Sequence, residues 1–125
     1  MFSSIASVLA FIVSPAYRPK VEAGSSNKYS KTFLKAANII EKRGWSREMS
    51  FGPHGEVCVG VALSQACGGR SYLDVRRSEE AWHYLAEHTD GMELYRMSPA
   101  YWNDGAAQSK EHVTDLLRKA ADYHD

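Results

Sequence analysis

The chain reads as mostly α-helical: a single small helical domain of about four helices behind an apolar N-terminal arm. Three observations lead there. Phe33, Ala36, Ala37 and Ile40 recur at i, i+3, i+4 and i+7, which places apolar side chains along one helix face. Val113, Leu116, Leu117, Ala120 and Ala121 repeat that spacing near the C-terminus. Between them, Val57 to Cys67 is an apolar run of 11 residues whose length, with Ala62, Leu63 and Ala66, favours helix over strand.

Taken in order, the chain begins with an arm, Met1 to Val13, that is apolar on most faces and is closed by Ser14 and Pro15. It is too short to span a bilayer, which needs about 20 residues. Ser14-Pro15-Ala16 offers a small-x-small cleavage site, but no Lys or Arg precedes it, and this argues against a signal peptide. A membrane-surface helix wants a basic polar face, which the arm lacks. As a helix it would stack Phe2, Ile5, Leu9 and Ile12 on one stripe, widened by Val8 and Phe11. Burying those six side chains would contribute on the order of 10 kcal/mol before ordering costs, enough to hold the arm in a groove of its own domain or of a partner. Ala16 to Lys28, with Pro19, Gly24, Ser25 and Ser26, reads as an extended linker. The organisation is therefore arm and linker over 1–28 and a helical domain over 29–125.

In the domain, Ser30 or Thr32 is expected to cap the first helix and Gly44 to end it. Gly52, Pro53 and Gly55 make Trp45 to Glu56 a turn-rich connection or short hairpin. The 57–67 helix closes at Gly68-Gly69. Ser78 ahead of Glu79 and Glu80 combines a cap with acidic residues where a helix start favours both, predicting a helix to about Thr89 that buries Ala81, Trp82 and Leu85 and stops at Gly91. Ser109 or Gln108 begins the last helix.

Composition excludes some functions. Fifteen basic residues balance fifteen acidic ones, so no net field draws the chain to nucleic acid, and no nucleic-acid partner is expected. The local clusters Lys31, Lys35, Lys42, Arg43 and Arg70, Arg76, Arg77 fit solvated helix faces. Cys58 and Cys67 read as reduced thiols in a cytoplasmic protein, because nine residues of helix would hold their Cα atoms about 13 Å apart, beyond disulfide reach.

Candidate chemistry is sparse. Trp102-Asn103-Asp104-Gly105 is the most suggestive constellation, since an exposed aromatic beside a carboxamide and a carboxylate is a possible ligand loop. Turn chemistry explains the same residues: Asn and Asp before Gly form Asx-turns, and the Trp anchors the loop. Cys58 with His54, His83, His88 or His112 lacks the paired short spacing of a zinc site, and Cys58 among Val57, Val59 and Val61 lacks the electropositive setting of a nucleophile. No phosphate loop, GxSxG or HExxH is present. No catalytic residue, metal site or cofactor is expected.

Ala36-Ala37-Asn38-Ile39-Ile40-Glu41 ahead of Gly44-Trp45, Gly55-x-x-Cys58-x-Gly60-x-Ala62 with Ala66, Trp102-Asn103-Asp104, and the final Val113-x-x-Leu116-Leu117 together resemble a small helical domain family of unknown function found in actinobacteria and their phages. The similarity runs from about Phe33 to Ala121. It implies a helical fold and a phage or actinobacterial origin, and no mechanism. The expected function is a non-catalytic interaction module, an accessory or assembly component in the host cytoplasm or virion, with residues 1–13 gripping a protein partner or another copy. The alternative is a small enzyme or ligand binder using Trp102, Asn103 and Asp104.

Overall fold

A computed structural model describes residues 26–124, so the arm residues Phe2, Ile5, Val8, Leu9, Phe11 and Ile12 lie outside the described residues. Within the described residues the protein is mostly helical, as the apolar stripes predict: α1 (Ser30–Arg43), α2 (Val59–Ala66), α3 (Tyr72–His88), a 3-10 turn (Glu93–Tyr95), α4 (Pro99–Gly105) and α5 (Lys110–Ala121). No strand longer than an isolated bridge occurs among them.

α1 buries Phe33, Ala36, Ala37 and Ile40, the four residues of its stripe. Its start differs from expectation. Ser30 is the first helical residue and is fully buried, with its hydroxyl donating to the Ala121 carbonyl at 2.6 Å. Asn27 organises the entry instead: its Oδ1 accepts from the Tyr29 N–H, and its Nδ2 donates to the carbonyls of Ala120 and Tyr123 at 3.0 and 2.7 Å. The chain is thereby fastened to the end of α5 before α1 begins, and α1 and α5 form the main helix pair. Gly44 ends α1 at φ +90°, a conformation that disfavours a side chain, and any Cβ there would press on Glu56.

The connection from Trp45 to Val57 is turn-rich, and its second half, residues 50–58, folds back on itself around a turn at 52–55. Val57 bridges Trp45 in parallel sense and Phe51 in antiparallel sense, and the Cys58 N–H donates to Ser50. This brings residues 44–51 back against the start of α2. Cys58 caps α2, its Sγ accepting from the Val61 N–H at 3.4 Å, and the helix buries Val59, Ala62, Leu63 and Ala66. Cys58 and Cys67 are both free thiols.

α3 begins at Tyr72, six residues before Ser78. Ser71 is the cap, accepting from the Asp74 N–H at 3.2 Å, and Ser78 is a buried interior residue whose hydroxyl donates to the Val75 carbonyl. Ala81, Trp82 and Leu85 are buried as the apolar spacing requires, and Trp82 Nε1 donates to the Tyr95 carbonyl at 2.7 Å. α5 is capped by Ser109 and buries Val113, Leu117, Ala120 and Ala121. The core is one cluster drawn from all five helices, with Trp82 its largest fully buried side chain.

Candidate functional site

Trp102, Asn103 and Asp104 stand on α4, not in a turn. Ser98 caps this helix by accepting from the Tyr101 N–H, and Pro99 supplies a preorganised first turn. The helix therefore forms across the Asn-Asp-Gly sequence that Asx-turn chemistry assigns to a loop. Trp102 is 2 % exposed and Asn103 is fully buried, so neither presents the accessible surface expected of a ligand loop.

The carboxamide of Asn103 meets its surroundings with its full complement of donors and acceptors. Its Oδ1 accepts from Trp45 Nε1 at 2.7 Å and from the Val59 N–H at 2.9 Å. Its Nδ2 donates to the Ser46 carbonyl and to Asp104 Oδ1, both at 2.9 Å. An amide side chain has two donor hydrogens and two acceptor lone pairs, and all four are used. The Val59 N–H is one of the donors that a helix start leaves without an intrahelical partner, so Asn103 also completes the N-terminus of α2. One buried side chain thus ties α4 to α2 and to the 45–48 segment.

Asp104 extends the same network to the surface. Its Oδ1 accepts from the Glu48 N–H at 2.8 Å, and Glu48 is the one non-glycine at positive φ among the described residues, at 67°. Arg47 donates to the Ala107 carbonyl, and its guanidinium lies 5.1 Å from the Trp45 ring centroid. Trp45 is thus held between Arg47 and Asn103, half-buried at the edge of the core. Trp102 packs against Trp82 at 5.8 Å and receives the edge of His112 at 5.4 Å. The His112 Nδ1 accepts from the Gln108 N–H at 3.1 Å, a contact at the start of α5.

The other candidate groups are dispersed. His54 is exposed beside Glu56, with Nδ1 to Oε2 at 3.7 Å. The Glu56 carboxylate also accepts from the His54 N–H, and hydrogen bonds from its own backbone and from His54 hold it below the usual carboxylate range. His88 stacks on Tyr84 at 4.0 Å. Cys58 is occupied as a helix cap, and burial pushes the Cys67 thiol up, against the weaker opposing influence of Thr32 and Arg77. Among the described residues no three His, Cys, Asp or Glu side chains are grouped to hold a metal, and no helix is long and apolar enough to cross a membrane.

Sequence reasoning missed Trp45, Ser46 and Val59 as partners of Asn103, and Glu48 as a partner of Asp104. Its only available signal was the shared presence of Gly44-Trp45 and Trp102-Asn103-Asp104 in one pattern, which carries no distance. A family model described as a family of unknown function (DUF6197) matches residues 25–123. Comparison with curated proteins and with solved structures finds no match.

Proposed function

We propose, from the premise that this chain belongs to the DUF6197 family of unknown function, that it is a non-catalytic helical interaction module docking through its apolar N-terminal arm. The occupant of that arm is a protein partner or another copy. A phage-encoded or actinobacterial accessory or assembly component, working in the host cytoplasm or in the virion, fits this role.

The observation that carries the reading is the saturation of Asn103. Its four hydrogen bonds run to Trp45, Ser46, Val59 and Asp104, so the most suggestive polar constellation of the chain is spent inside the fold. Exposed apolar side chains supply a second line of support. Leu94, Met97 and Tyr101 are 82, 73 and 63 % exposed around the 3-10 turn and α4, surface that a partner would cover.

The test uses the full chain beside an Ile5→Asp/Leu9→Asp variant, tagged, with bound proteins identified and sedimentation measured. A stoichiometric partner or a self-associated species present for the wild type and absent for the variant is the expected result. Identical behaviour of the two chains would overturn the docking arm. Turnover lost on Asp104→Asn in a still-folded protein would favour the enzymatic alternative.

A further inference from the structure

Leu94 and Met97 are the two most exposed large apolar side chains among the described residues. They stand on one side of their segment. The Tyr95, Arg96 and Ser98 N–H groups donate to the carbonyls of Met92, Glu93 and Tyr95, and residues three apart eclipse in such 3-10 winding. α3 holds the segment in place through the Trp82 bond to the Tyr95 carbonyl and the Glu87 ion pair to Arg96 at 3.6 Å. Beside it opens a cleft of about 150 Å³, lined by Glu79, Trp82 and His83 of α3 and by Met97 and Pro99. Trp82 is buried, His83 and Pro99 are half-buried, and Glu79 and Met97 are exposed, so the indole forms the floor.

This cleft adjoins the point where the linker from the arm enters the domain. His83 lines it and also lines an open groove shared with Lys28, Tyr29, Glu80, Tyr84 and Glu87. Lys28 lies two positions after Ser26, the first described residue. A continuous surface path therefore runs along α3 from the chain entry to Met97. From Tyr84 to Glu79 it covers five residues of helix, about 7.5 Å. Residues 14–25, at up to about 3.3 Å each, can reach about 40 Å, several times what the path requires.

We propose that residues 1–13 seat on this surface of their own domain, with one apolar side chain of Phe2, Ile5, Leu9 and Ile12 entering the cleft over Trp82 and the others covering Leu94 and Met97. Matching chemistry argues for it first: an apolar segment and an exposed apolar surface belong to the same chain, and each is stabilised by leaving water. Size argues next. The cleft is about half the roughly 300 Å³ at which small-molecule pockets begin, which suits a single anchoring side chain. The tether argues third. A short linker holds the arm at an effective concentration on the order of 1 mM, so an arm with an intrinsic dissociation constant of about 0.1 mM is seated roughly nine-tenths of the time. The inference shares with the docking-arm reading only the apolar character of residues 1–13, and a partner that captures the arm displaces it from this seat.

Methyl NMR of the full chain labelled at methionine, with a soluble gadolinium chelate in the buffer, reads the seat. Met97 reports on the seat, Met92 on the core, and Met49 on the loop after α1 as an exposed reference. Relaxation of the Met97 methyl by the chelate should rise several-fold from wild type to Ile5→Asp/Leu9→Asp. It should rise equally in Leu94→Asp, at a position too exposed for the core to depend on it. An unchanged Met92 shift shows that both variants are folded. Met97 relaxed alike in all three proteins would overturn the seat, whatever partner the arm holds, and so would a change confined to Met49. A mixture then separates the arm's own domain from a second copy: labelled Ile5→Asp/Leu9→Asp with equimolar unlabelled Met97→Asp, which keeps an intact arm. Met97 staying exposed is the expected result. Protection regained in the mixture would overturn the seat on the arm's own domain and assign the surface to another copy, leaving the docking-arm reading in place.

Discussion

The indole Nε1 of Trp45 donates to Asn103 Oδ1 at 2.7 Å across 58 positions of sequence, joining the loop after α1 to the middle of α4. The same oxygen holds the first free N–H of α2. Truncating this side chain would orphan the Val59 N–H, the Ser46 carbonyl and the Trp45 indole in one step.

Asn103→Ala is therefore expected to destabilise the domain by about 3–5 kcal/mol, since each buried group left without a partner costs about 1–3 kcal/mol. For a domain of this size that lowers the melting temperature by roughly 12 °C or more. Thermal unfolding followed by Trp fluorescence measures it. A loss below about 1 kcal/mol would mean that the carboxamide does not hold these elements together.

Glu48 sits in the left-handed region, at φ 67°, beneath the carboxylate of Asp104. A non-glycine there costs about 1–2 kcal/mol, offset on replacement by the greater chain entropy of glycine. Glu48→Gly should leave stability unchanged or raise it by up to about 1 kcal/mol. Asp104→Ala should lower it by about 1–2 kcal/mol through loss of the Glu48 and Asn103 bonds. Urea denaturation of both variants checks the two signs.

Ser71, not Ser78, caps α3. Ser71→Ala should cost about 1 kcal/mol and speed amide exchange over Tyr72 to Arg77, the part of the helix that buries nothing. Ser78→Ala should leave exchange in those turns unaltered. Faster exchange there in Ser78→Ala would place the helix start at Ser78.

Glu56 is held below the usual carboxylate range by its own backbone N–H and by that of His54, against the opposing pull of burial. A depressed carboxyl contributes stability that is present above its unfolded pKa and lost as pH falls through its folded pKa. The wild type should accordingly lose stability between about pH 5 and pH 3. Glu56→Gln should show a shallower decline over the same range. Equal slopes for the two proteins in urea titrations at each pH would refute this.

Much of the fold was legible where a helix buries a full stripe. The residues buried on α1, and Val113, Leu117, Ala120 and Ala121 of α5, stand at the positions their spacing indicates. The start of α3 was hidden because Tyr72, Leu73 and Val75 are exposed there and give no apolar period, while Glu79 and Glu80 imitate a first turn. Ser30 looked like a cap because capping is a local property, whereas its hydroxyl is committed to a carbonyl 91 positions away. α4 reads as a turn in the sequence for a related reason. Asn, Asp and Gly favour turns when their side chains bond nearby backbone, but Asn103 bonds groups 44, 57 and 58 positions distant and leaves its own backbone free to form helix.

The clasp at Asn27 gives the domain a direction in which it resists load. Tension carried by the chain ahead of residue 27 does not act first on the turns of α1. It falls on the bonds from Asn27 and Ser30 to the carbonyls of Ala120, Ala121 and Tyr123, at the far end of the sequence. Pulling residue 26 away from residue 124 would open that clasp like a zipper, one bond after another. Pulling residue 26 against a point in α2 would instead load the packing of α1 on α2. The load that the chain ahead of residue 27 can bear thus depends on where the rest of the domain is anchored.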